Sequence, residues 1–356
     1  MLLLCSLAIP HVSPKEAWPL GLLSLATPFI ALGNVIFIVV WLVLGKWRRM
    51  LLSVVAIILC WKIFSVGMAG NVQEESDMRY NTAALKIITY NVKLFNLYGG
   101  QDASKLSTRA AIAEYINAQR PDIVCLQEFF DGTVLPNTDN IEYIKTQCKL
   151  PYVAFNINIS SKRGNFGDII FSKYPILAQQ QLAFADDQVG NHHFQYADIA
   201  KNNDTFRVYN LHLQSIKLDS KELDFVDDKD LNALKRFESL KKGMGIVHKL
   251  RAGFDSRSGQ ANQVAAHISK CQLPSIVCGD FNDLPTSYAY FTIRKDMGDA
   301  FLDKGFGLGQ TYKEVSSVLR IDYVLYDKQH FKTLGIDQQR LSYSDHFPIA
   351  VNFAIQ

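Results

Sequence analysis

Six short segments of this chain deliver side chains able to do acid, base or ligand chemistry. LKIITYN (85–91) ends in Asn91, PDIVCLQE (121–128) ends in Glu128, and FRVYNLHL (206–213) carries His212 near its end. LPSIVCGDFN (273–282) supplies Asp280 and Asn282, RIDYVLYD (320–327) carries Asp322, and Asp345 and His346 stand just before PIAVNF (348–353). Acids and amides gathered in one place offer hard oxygen ligands, which suit Mg2+, Mn2+ or Ca2+. Imidazoles can hold a phosphate oxygen or move a proton near neutral pH. A divalent ion that neutralises oxygen charge, a carboxylate that positions water and donors that stabilise a charged transition state are what hydrolysis of a phosphate ester needs. Each residue alone reads more simply as a turn former, a cap or a surface group. Six such elements in one chain make that simpler reading a poor account.

The elements that must position these residues are legible around them. The six segments and GDIIFSK (167–173) are rich in Val, Ile, Tyr and Phe and short, which predicts strands. Ser107 or Thr108 can cap a helix with Ile112, Tyr115 and Ile116 as its apolar stripe, stopping before Pro121. Gln260–Cys271 has Ala261, Val264, Ala265 and Ile268 at helical spacing. Each helix leads directly into a strand, so helices should cover sheets in a layered α/β fold. Strand ends are rigid platforms, and a site forms where several converge. The charged stretch Lys217–Ser258 interrupts the pattern. It reads as a surface loop that turns helical around Leu231–Leu250, either a solvated insertion or part of a substrate rim.

With 356 residues, the chain has room for a membrane region and one large domain. The reading is a transmembrane helical region over 1–70, a linker over 71–84 and a catalytic domain over 85–356. Leu20–Leu44 has no charged residue and is long enough to span a bilayer, which takes roughly 20 apolar residues. Lys46, Arg48 and Arg49 follow, and Met50–Gly67 is a second apolar stretch interrupted only by Lys62. Helices at about 20–44 and 50–67 would form a hairpin. The positive-inside bias puts its basic turn in the cytoplasm, and so puts the C-terminal domain on the periplasmic or extracellular side. Two long apolar stretches are too many for a cleaved signal peptide. Met1–Pro10 is apolar but too short to span, and can be the end of a third helix. A net charge of +3, with no basic run in the catalytic domain stronger than Lys241–Lys242, does not argue for nucleic acid. The six cysteines lack CxxC spacing and read as buried thiols, with Cys148 and Cys271 the one plausible pair.

TYNV, LQE, NLHL, GDFN, RIDY and SDHFP, in this order, resemble the endonuclease/exonuclease/phosphatase superfamily, which includes deoxyribonuclease I, AP endonucleases, neutral sphingomyelinases and inositol-polyphosphate phosphatases. The resemblance spans about Leu85 to Phe353. It implies a deoxyribonuclease I-like four-layered α/β/β/α sandwich with the site at one edge of two sheets. Carried over, Asn91 and Glu128 would hold a divalent metal, with Glu128 the principal ligand and Asp345 beside it. Asp280 would orient or activate the attacking water and Asn282 would bind the scissile phosphate. His212 would contact the phosphate and stabilise developing charge, and His346 would do likewise or act in proton transfer, with Asp322 as its hydrogen-bond partner. AP endonucleases have an acid two residues after the first Asn, where this chain has Lys93, and a Tyr in the segment that here reads GNFGDIIFSK, with Asn165 and Phe166. DNA repair is therefore disfavoured. Gly164 and Gly167 either let backbone approach a substrate closely or make a simple turn. The expected partners are a phosphate-ester substrate, nucleic acid or phospholipid headgroup, and the membrane itself; no protein partner is inferred. Phosphodiesterase or nuclease-like activity leads. Phospholipase C or sphingomyelinase-like and phosphomonoesterase activities are the alternatives. A non-catalytic binding module comes last, because every expected position is filled.

Overall fold

The computed structural model describes residues 2–71, 84–97, 107–132, 134, 137–185, 193–216, 233–314 and 319–356, with backbone alone at 84 and 233–243. Most of the expected linker and the first part of the charged stretch, 217–232, lie outside the described residues.

Two six-stranded sheets form the centre. The first runs β13 (Phe331–Gln338), β14 (Ile349–Ile355), β2 (Ala84–Asn91), β3 (Ile123–Gly132), β5 (Gly164–Ser172), β4 (Tyr152–Ser161). The second runs β10 (Gly298–Asp299), β12 (Asp322–Tyr326), β9 (Ser275–Asp280), β8 (Asp204–His212), β7 (His193–Lys201), β6 (Ile176–Ala183). Each has one central parallel pair, β2 with β3 and β8 with β9, among antiparallel neighbours.

Period-two alternation explains why the strands are so apolar: both faces are covered. In β2, Leu85 and Ile87 pack between the sheets while Ile88 and Tyr90 face outward. The outward residues meet Ile112, Ala113, Tyr115 and Ile116 of α4 (Thr108–Gln119) and Ile144 and Cys148 of α5 (Asn140–Cys148). On the other side, Tyr209, Leu211, Val277 and Tyr323 face Ala261 and Val264 of α6 (Ala233–Ile268) and Ala289, Tyr290 and Ile293 of α7 (Tyr288–Arg294). The layers are α/β/β/α, as expected.

All seven expected strands form, and α4 begins where expected, with Ser107 Oγ accepting from Ala110 N. Strands β4, β6, β7 and β13 and helix α5 were not expected from sequence. The helices expected around Leu231–Leu250 and over Gln260–Cys271 are one continuous α6. The glycine-rich segment has its own reason: a Cβ on Gly167 would lie 1.8 Å from Asn156 O and one on Gly164 2.3 Å from Asp131 O. The close approach there is to neighbouring strands. All six cysteines are free.

The N-terminal residues form α1 (Leu2–Cys5), α2 (Pro19–Val43) and α3 (Trp47–Phe64), then β1 (Ala69–Gly70), which pairs with β11 (Phe306–Gly307) after α8 (Ala300–Lys304). Gly45 turns the chain between α2 and α3 with φ +66°. Both helices are long and apolar enough to cross a membrane, and many of their large apolar side chains, among them Phe29, Leu32, Ile58 and Leu59, are exposed.

Candidate active site

The same parity that builds the core places the site. Ile87, Cys125, Val208, Cys278 and Val324 all face the gap between the sheets. Counting on in twos brings Asn91, His212 and Asp280 to that gap at their strand ends, and counting back from Val324 brings Asp322 there. Gly279 makes the meeting close: its φ is +139°, and a Cβ on it would lie 2.0 Å from Leu211 O. The register pairs His212 with Asp280 and Asp280 with Asp322. Glu128 has the wrong parity, and a bulge between Leu126 and Phe129 corrects it. Glu128 itself adopts φ +49°, a left-handed conformation uncommon outside glycine and asparagine.

Asp280 is the hub. Its Oδ2 accepts from Asn91 Nδ2 at 3.2 Å and lies 3.5 Å from His346 Nε2 and 4.0 Å from His212 Nε2. Its Oδ1 accepts from Asn282 N at 2.8 Å. Asn282, at φ +51°, also gives an amide hydrogen to Leu213 O at 2.9 Å. Asn91 donates to Glu128 Oε1 at 3.1 Å, and its Oδ1 accepts from Lys93 N at 3.1 Å. In this orientation Asn91 directs the two carboxylates. After it, Lys93–Asn96 form a turn in which all four residues have positive φ.

Two imidazoles are each backed by an acid. His346 Nδ1 and Asp322 Oδ2 are 2.9 Å apart, both buried, and Thr311 Oγ1 accepts from the Asp322 N–H at 3.1 Å. The ring of Tyr312 packs on His346 at 4.9 Å. His212 Nε2 lies 3.9 Å from Glu128 Oε1, and its Nδ1 lies 3.7 Å from Asp168 Oδ1. Asp168 is buried and was not singled out from sequence. The signal was available: it shares the inner face of β5 with Ile170, two residues on. Asp345 Oδ2 is held by Lys93 Nζ at 2.7 Å, and that ammonium also meets Glu314 at 2.9 Å. All eight expected residues therefore lie in this region, Asp345 at its rim through Lys93 and Ser344, whose Oγ lies 2.7 Å from Asn91 O and 3.2 Å from Asp345 Oδ1.

Burial disfavours charge on His212, but Asp168, Asp280 and Glu128 outweigh it and push its pKa up to about 9. Burial likewise opposes charge on His346, and Asp322, Asp280 and Asp345 raise it. Asp322 is raised by its own burial, against the pull of His346. Even with both rings charged, the carboxylates Glu128, Asp168, Asp280, Asp322 and Asp345 exceed the nearby cations His212, His346 and Lys93. The donor set fits a hard divalent cation: Glu128 Oε1 and Asp280 Oδ2 converge on one amide nitrogen, and hard oxygens dominate. Asp280, Asp322 and His346 also offer atoms within 4.8 Å of one another. Their mutual pairing suits proton handling equally well.

The sequence profile of the endonuclease/exonuclease/phosphatase family matches residues 88–346, and that of a domain of unknown function matches residues 1–67. An endonuclease/exonuclease/phosphatase from Beutenbergia cavernae superposes with TM-score 0.55 at 15% identity, over 77% of this chain and 72% of that one. A family protein from Bacteroides thetaiotaomicron gives 0.51 at 16% identity, over 77% and 98%. The human Nocturnin catalytic domain with bound sulfate anion gives 0.52 at 16% identity, over 80% and 96%. At these identities the likeness is one of fold. No curated protein matches.

Proposed function

The chain belongs to the endonuclease/exonuclease/phosphatase family, and from that premise we propose that its domain over 85–356 hydrolyses a phosphate ester outside the cytoplasm while residues 1–70 anchor it in the membrane through α2 and α3. The observation that carries the chemistry is the convergence on Asp280 of Asn91 and two acid-backed histidines.

A divalent cation, Mg2+ or else Mn2+ or Ca2+, would be held by Glu128 as principal ligand with Asp345 nearby, and by Asn91 if its amide turns. When bound it supplies neutralisation of a phosphate oxygen. Asp280, pinned by Asn282 N, positions the water and accepts its proton. Asn282 keeps one amide hydrogen beyond that given to Leu213 O, and with it binds a phosphate oxygen. His346 and His212, held cationic by Asp322 and Asp168, stabilise the charge that develops on the phosphate, and His346 can protonate the leaving oxygen. The basic turn Lys46, Arg48 and Arg49 supports a cytoplasmic hairpin tip and an extracytoplasmic domain.

The full chain should turn over bis-p-nitrophenyl phosphate with Mg2+ or Mn2+, and Glu128→Gln and His346→Ala should each abolish this while the fold persists. Wild-type turnover in both variants would sink the assignment. A panel of DNA, RNA, sphingomyelin-like lipid and phosphomonoesters then separates the phosphodiesterase or nuclease-like reading from its phospholipase-like and phosphomonoesterase alternatives.

A further inference from the structure

Both ends of the apolar hairpin are built into the catalytic layers, each beside a segment that carries site residues. Near the start of α2, Gly21 lies so close to α6 that a Cβ on it would sit 2.3 Å from Phe254 Cδ2. One turn on, Ser24 O accepts a buried hydrogen bond of 2.8 Å from Thr286 Oγ1. Thr286 is four residues past Asn282, so at most about 15 Å of chain separates them. Between them, Asp283 forms a buried ion pair of 2.9 Å with Arg257, one turn of α6 from Phe254.

At the other end, just past α3, Val66 O accepts from Arg320 Nη2 at 2.7 Å, and Arg320 stands two residues before Asp322. Arg320 is buried and paired with Asp299 at 2.8 Å. The hydroxyl of Tyr323 lies 2.8 Å from both Asp283 O and Arg320 O, so the two segments are also tied to each other. Beyond Val66, β1 pairs with β11, and Asn71 Nδ2 donates to Leu302 O at 2.8 Å. A tether needs none of these contacts. Withdrawing Ser24 O and Val66 O would leave a buried hydroxyl short of an acceptor and strip a bond from a buried guanidinium, both costly.

We propose that the hairpin is part of the support of the active site, with Thr286 and Arg320 as positioning residues through which the set of α2 and α3 in the bilayer fixes the placement of Asp280, Asn282 and Asp322. The inference rests on reading α2 and α3 as a membrane hairpin and the site as a phosphoesterase. Helices tilt to match the hydrocarbon thickness around them. Turnover of a water-soluble substrate therefore depends on bilayer thickness.

The test uses the full chain reconstituted in dimyristoleoyl, dioleoyl and dierucoyl phosphatidylcholine. The readouts are kcat and KM for bis-p-nitrophenyl phosphate with Mg2+ or Mn2+, and amide hydrogen exchange of peptides covering 279–288 and 319–325. The expected result is a kcat that differs about threefold or more among the bilayers at steady KM, with exchange in both peptides moving in step. Thr286→Val lowers kcat about fivefold, the net worth of one hydrogen bond, and flattens the lipid dependence, whereas Thr286→Ser preserves both. The same kcat and the same exchange in all three bilayers overturn the proposal and leave the hairpin a passive anchor. If no bilayer supports hydrolysis, the phosphoesterase reading fails by itself. Exchange then decides: dependence on thickness upholds the coupling, and its absence refutes it.

Discussion

Asp168 shows how a single buried carboxylate can set the state of a neighbour. It lies 3.7 Å from His212 Nδ1 and heads the acids that raise His212 to about 9. A pKa raised on folding adds stability that is fully present below the unfolded value, about 6.5, and fades as pH climbs through the folded one. Asp168→Asn keeps the shape and removes the charge. In metal-free protein it should lower the unfolding temperature at pH 6, and the gap to wild type should narrow above about pH 9 to the cost of the one carboxylate acceptor lost. An equal gap at pH 6 and pH 10 would show that Asp168 acts through the hydrogen bonds it accepts from Glu128 N and Asn158 Nδ2, both at 3.3 Å, and not through the charge of His212. The sequence made His212 conspicuous, because an imidazole stands out in FRVYNLHL. Asp168 hides in GDIIFSK, where an aspartate before three apolar residues looks like the edge of a turn.

Among the elements, those with both faces buried were legible, since Val, Ile and aromatic runs have few other uses. ILAQQQLA, which became β6, has a mostly exposed edge and too little apolar signal to be read as a strand. Gly253, Ser256, Ser258 and Gly259 look like breakers, yet α6 runs through them. Tertiary contacts override the propensity there: Gly253 packs on Ile216, and Arg257 is locked to Asp283. Gly279 is the opposite case, where backbone demands glycine. Gly279→Ala combines φ +139° with a Cβ 2.0 Å from a carbonyl oxygen of β8, so the parallel β8–β9 pair must part. The expected cost is about 2–4 kcal/mol, read as a lower denaturation midpoint, with turnover lost before the fold because Asp280 is the next residue. Unchanged stability would mean that β8 yields freely.

At the scale of the molecule, two apolar helices joined by a tight turn must leave both outer ends on one side of any bilayer they cross. The turn bears Lys46, Arg48 and Arg49, and Lys46 and Arg49 lie over the Trp41 ring at 5.8 and 5.2 Å, while Arg48 lies over Trp47 at 5.5 Å. Aromatic rings with basic neighbours mark a headgroup region, and the positive charge favours the cytoplasmic one. The opposite end of the hairpin is fixed to the α/β/β/α layers through Ser24 and Val66. On the proposed reading of α2 and α3 as a membrane hairpin, domain and tip face opposite compartments. Cysteine placement tests this in a Cys5→Ser, Cys271→Ser background, which leaves the buried Cys60, Cys125, Cys148 and Cys278. On intact cells made accessible at the outer face, a membrane-impermeant maleimide should label Lys270→Cys on the exposed end of the α6 layer. It should label Lys46→Cys only after lysis. The reverse pattern would put the domain in the cytoplasm. It would overturn the charge argument while leaving the site chemistry untouched, because nothing in the Asp280 cluster depends on which side of the membrane it faces.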